Sequence, residues 1–94
     1  MSGTQWALDL KIQQYLNEAT SLKQQLGALE QTVLMSEILL RNETLRYELG
    51  ESSLFLVNSR ETKALEARQK LIAARIKSLK NQSALQWSAG ILQY

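Results

Sequence analysis

Apolar side chains recur along the first half of the chain in alternating steps of four and three. Leu8, Ile12, Tyr15, Ala19, Leu22, Leu26, Leu29, Val33, Ser36 and Leu40 form one row, with a single polar lapse at Ser36. A seven-residue repeat of this kind keeps one seam on one side of an α-helix. A second apolar row, Leu34, Ile38 and Leu45, runs beside it. The pattern predicts a helix over about residues 4–49, roughly 65–70 Å long at 1.5 Å per residue. Gly27 lies inside it and costs only about 1 kcal/mol relative to alanine.

The second half carries two apolar rows over about residues 54–89. One is Leu65, Ile72, Ile76 and Leu79; the other is Val57, Ala64, Leu71, Ser78 and Leu85, with Arg68 and Arg75 between them on the helical wheel. An isolated two-stranded coiled coil needs one seam per helix. Two seams describe a helix wedged between neighbours, as in a bundle or a wall of helices.

The repeat breaks once, in Tyr-Glu-Leu-Gly-Glu-Ser-Ser from Tyr47 to Ser53. Gly50 stands where a helix C-terminus takes a left-handed residue, which glycine adopts without steric cost. Ser52 or Ser53 can cap the next helix by accepting an amide hydrogen bond. With so few turn residues the helices must be antiparallel neighbours. The expected fold is all-α: a long antiparallel hairpin with its tip at residues 50–53. The uncovered rows imply pairing with a second copy into a four-helix bundle.

Composition supports this reading and removes most catalytic chemistry. The 94 residues contain no proline, cysteine or histidine. Disulfides, thiolate nucleophiles, Cys/His zinc sites and imidazole acid–base pairs are therefore ruled out. Glu48 and Glu51 flank the turn, where carboxylates are ordinarily solvated. No nucleophile–base or metal constellation is present, so no catalytic, cofactor-binding or metal site is expected and the chain reads as a non-enzyme.

The net charge of +2 is unevenly distributed. Residues 1–51 hold seven acids and four bases (−3), and residues 52–94 hold seven bases and two acids (+5). A basic half can mark nucleic-acid or anionic-lipid binding. Here Arg60, Lys63, Arg68, Lys70, Arg75, Lys77 and Lys80 spread around the helix, whereas phosphate binding needs a clustered surface. An acidic helix lying against a basic one accounts for the asymmetry, and no nucleic-acid partner is expected. No apolar stretch is long enough to span a bilayer. Met1 to Trp6 lacks the basic and apolar regions of a signal peptide.

Three motifs carry a resemblance. Y-x-x-G-x-x-S-L-F-x-V runs from Tyr47 to Val57, A-x-x-x-L-x-x-A-R from Ala67 to Arg75, and S-A-G-I-L from Ser88 to Leu92. Together they resemble the TolC-type outer membrane efflux proteins, and Gly-Glu-Ser-Ser-Leu-Phe-Leu-Val-Asn-Ser-Arg-Glu is similar to versions from Bacteroidetes-type bacteria. The resemblance is specific over about residues 43–92; the first helix shares only periodicity and polar composition. It implies the C-terminal helical hairpin of a periplasmic tunnel whose full-length members are homotrimers of the outer membrane. The hairpin tip, here Leu49, Gly50, Glu51, Ser52, Ser53, Leu54 and Phe55, would then meet a periplasmic adaptor protein. Aspartates that some members carry just after the tip correspond to Leu56 and Ser59, so no acidic gate is implied.

The family also has barrel strands, a second helical repeat and a signal peptide. The 94 residues therefore read as one excised or truncated hairpin, not a channel competent on its own. The alternative is a stand-alone helical-hairpin interaction or assembly module. Leu54, Phe55, Leu56 and Val57 would be an interface between helices and between subunits in the first case, or a plug closing the end of the hairpin core. Trp6, Trp87 and Tyr94 lie near the chain ends, where end-packing is the ordinary role of aromatics.

Overall fold

The computed structural model of the chain describes residues 3–92, with side chains over residues 5–90. It is an antiparallel helical hairpin of two elements, α1 (Gly3–Glu48) and α2 (Leu54–Leu92). Both helices run without a break, α2 reaching three residues past the end that its periodicity predicts. The helix-forming composition explains this continuity. Hydroxyls that could compete with the backbone fold back onto it: Thr20, Thr32, Thr44 and Thr62 each donate to the carbonyl four residues earlier, at 2.8–3.2 Å.

Two compact units share these helices. The tip unit, residues 26–73, holds the turn and the helical segments flanking it. Its buried apolar side chains are Val57, Ala64, Ala67 and Leu71, all on α2. On α1 the seam positions Leu26, Leu29, Val33, Ser36 and Leu40 are half-buried. Of the two rows on α2, the one through Val57, Ala64 and Leu71 faces the core, while Leu65 and Ile72 of the other face solvent. Unlike charges meet across the helices. Arg68 donates from Nε (2.9 Å) and Nη2 (2.6 Å) to Oε1 of Glu37, so the arginine between the apolar rows bridges to the acidic helix.

The terminal unit comprises residues 1–25 and 74–94, of which 3–25 and 74–92 are described. Leu8, Ile12, Tyr15 and Ala19 are half-buried on α1, and Leu22 is fully buried. Among the described residues the buried positions of α2 are polar here: Asn81 and Ser88. Trp6 and Trp87 are exposed and do not plug a core. Tyr94 lies outside the described residues, as do the side chains of Ile91 and Leu92.

Candidate functional site: the turn and its polar lock

The turn is built from backbone hydrogen bonds first. Helix α1 ends in a Schellman arrangement: the Gly50 amide donates to the Tyr47 carbonyl (3.0 Å) and the Glu51 amide to the Arg46 carbonyl (2.7 Å). This closure requires a left-handed residue, and Gly50 supplies it with φ +77°. A Cβ added at Gly50 would meet nothing within 4 Å, so glycine is required by conformation and not by space. Schellman turns usually add an apolar contact across the same closure. Here Arg46 Nη2 donates to the Glu51 carbonyl instead, at 3.2 Å.

The two serines have separate tasks. Ser53 is the N-cap of α2: its Oγ accepts from the Leu56 amide at 3.2 Å, and its carbonyl accepts from the Val57 amide at 3.1 Å. Ser52 points the other way, donating from Oγ to Glu43 Oε2 at 2.6 Å.

Glu43 is the centre of the lock. It is a carboxylate only 5% exposed, and such a group is stable inside when it is hydrogen-bonded and paired. Ser52 supplies the bond, Arg46 Nη1 lies 3.5 Å from Oε2, and Arg60 Nε lies 3.6 Å from Oε1. The Ser52 hydroxyl bond is the main reason its pKa is lowered; burial opposes the shift, and Arg46 and Arg60 reinforce it. One side chain thus ties the last turns of α1, the loop and the first turns of α2 together.

Against this rigid base, the expected tip residues divide into two groups. Gly50, Ser52, Ser53 and the Glu51 carbonyl shape the turn. Leu49, Leu54 and Phe55 project into solvent, at 74%, 57% and 78% exposure. Of the apolar run after the turn, Val57 alone closes the core; Leu54, Phe55 and Leu56 do not. A shallow surface depression lined by Phe55, Asn58, Ser59 and Thr62 continues this face along α2.

Glu43 and Arg60 are site residues that lie outside the expected tip, Leu49 to Phe55. Their signal lies in the repeat: Glu43 is the next step of three after Leu40, and Arg60 the step of three after Val57. A charge on each seam at the same end of a hairpin is a cue for a buried ion pair. Among the described residues there is no grouping of acidic side chains able to hold a metal ion, and no helix long and apolar enough to cross a membrane. Set beside known proteins, the chain matches no family model, no curated protein and no solved structure.

Proposed function

We propose that this chain is a tunnel hairpin of a TolC-type outer membrane efflux protein, and that its turn docks on a periplasmic adaptor. In this reading it is a non-catalytic piece of a transport assembly in the periplasm and outer membrane. The observation that carries it is the exposure of Leu49, Leu54 and Phe55 on a turn whose backbone is fixed from both sides. A backbone already held by its own hydrogen bonds lowers the ordering cost of binding, and exposed Leu and Phe side chains offer apolar area for a partner to bury. The Tyr47-to-Val57 motif supplies the resemblance, and the tip geometry supplies a physical reason for its residue types.

The test is direct binding. The purified chain is titrated against the helical hairpin of a periplasmic adaptor from the same genome, with L49S/F55S as the comparison. Saturable binding that the double variant loses, at unchanged helical content, supports the reading. Binding indifferent to the two substitutions, or none to any adaptor hairpin, refutes it. If binding fails and the flanking DNA encodes no barrel strands, the chain is instead a stand-alone interaction hairpin.

A further inference from the structure

The tip unit exposes a second apolar surface, away from the turn. Leu34 of α1 follows the seam residue Val33, while Leu65 and Ile72 of α2 follow the buried Ala64 and Leu71. Glu37 and Arg68 hold the same relation to Ser36 and Ala67, and they are bonded to each other. That bond places the flank of α1 bearing Leu34 and the flank of α2 bearing Leu65 and Ile72 on one side of the unit. Ile38 and Leu45 extend the α1 flank outward. Leu45 also lines a depression with Glu37, Leu40, Arg41, Thr44 and Arg68.

We propose that this lateral face is a docking surface for a second copy of the chain, with α1 of each copy lying on α2 of the other. Leu34, Ile38, Leu45, Leu65 and Ile72 are each about half exposed. Five side chains in that state offer on the order of 400–500 Å² of apolar surface, the apolar share of a standard patch of about 800 Å² per partner. The largest apolar patch on a typical monomer is about this size and is often functional.

Charge selects the pairing. Residues 26–48 of α1 carry four acids and two bases (−2), and residues 54–73 of α2 carry four bases and two acids (+2). Setting α1 on the second copy's α2 matches these charges, and a two-fold axis repeats the match on both sides. Setting α1 on α1 opposes them. Exposed ion pairs contribute only about 0–1 kcal/mol each, so they set the orientation while apolar burial holds the dimer. This inference stands on the lateral face alone and does not depend on the efflux reading of the turn.

Sedimentation equilibrium of the full chain at micromolar concentration tests it, in low salt and in about 1 M salt, where exposed charges are screened. The expected mass is that of two chains in both. L65K/I72K should raise the dissociation constant roughly 100-fold or more, and L34K should weaken association from the other helix. Lysine is a good helix former, so circular dichroism should show unchanged helix content in both variants. F55S, at the turn, should leave the mass at two chains. A well-folded helical monomer, an oligomer larger than two, a dimer that survives L65K/I72K, or a dimer lost in F55S would each overturn the proposal.

Discussion

The tip unit and the terminal unit are made from the same two helices and the same seven-residue repeat, yet they bury different chemistry. In the tip unit α2 places Val57, Ala64, Ala67 and Leu71 inside, and the one buried charge, Glu43, is hydrogen-bonded and flanked by two arginines. In the terminal unit the buried positions of α2, among the described residues, are Asn81 and Ser88, and the Asn81 Nδ2 atom has no hydrogen-bond partner. A buried amide left unpaired costs about 1–3 kcal/mol, whereas a satisfied one does not. The repeat therefore fixes which positions face inward, and the residue types at those positions decide how firmly each unit holds. The tip unit has what it needs to position the turn; the terminal unit carries a buried group whose bonding is incomplete.

The largest effect should come from cutting the tip unit's core. Leu71→Ala removes a side chain 7% exposed and should destabilise the chain by about 2–4 kcal/mol, as for other buried leucines. Urea unfolding followed by circular dichroism measures it. A change under about 1 kcal/mol would mean that the Leu71 site collapses freely and that the tip unit is not well packed.

Asn81→Leu acts in the opposite direction. It removes the unpaired amide and adds apolar volume at a seam position, so stability should rise by about 1–3 kcal/mol. The gain should concentrate in the terminal unit, as slower amide exchange over residues 8–22 and 78–88, with the tip unit unchanged. A loss of stability would show that Asn81 finds a partner in solution, a bound water or another chain among the candidates.

Gly50→Val is expected to cost about 1–2 kcal/mol, because a β-branched residue would be forced to φ +77°. The Cβ itself meets nothing within 4 Å, so the cost lies in the backbone conformation. Unchanged stability in Gly50→Val would show that the Schellman closure is not the conformation in solution.

These contrasts also show what could be read from residue order alone. The hairpin was legible because ten positions from Leu8 to Leu40 repeat in fours and threes, and each of them is half-buried or buried in the structure. The turn was legible because Gly50 is the single break between the two repeats. Which serine caps α2 was not, since Ser52 and Ser53 are chemically equivalent at this spacing and only three-dimensional placement sends one to the Leu56 amide and the other to Glu43. The lock was missed for a related reason. Glu43 and Arg60 are far apart in sequence, and a charge on an apolar seam reads as a lapse until its partner is seen across the hairpin. Asn81 is the converse case: it lies on the seam three residues after Ser78, and nothing in the order of residues says that its amide will be unpaired.

The smallest effect concerns pH, and it separates the lock from the rest of the tip unit. The Glu43 carboxyl is held below its ordinary value of 4.5, first by the Ser52 hydroxyl bond and then by Arg46 and Arg60, against the opposing influence of burial. The folded chain thus holds this proton less tightly than the unfolded chain does. The stabilisation from Glu43 is fully present above pH 4.5 and is lost as pH falls through the lower, folded-state value. Nuclear magnetic resonance titration of the Glu43 side-chain carboxyl should give a midpoint below the ordinary value of 4.5. Ser52→Ala removes the principal cause, so the Glu43 midpoint should move up in that variant, while Ser53→Ala, which removes only the cap, should leave it where it was. Glu43→Gln should flatten the acid limb of the stability profile, because the amide keeps an acceptor for Ser52 but no longer titrates. If Ser52→Ala left the midpoint unmoved, the hydroxyl bond would not be the source of the shift, and the two arginines alone would have to hold the carboxylate ionised beneath the turn.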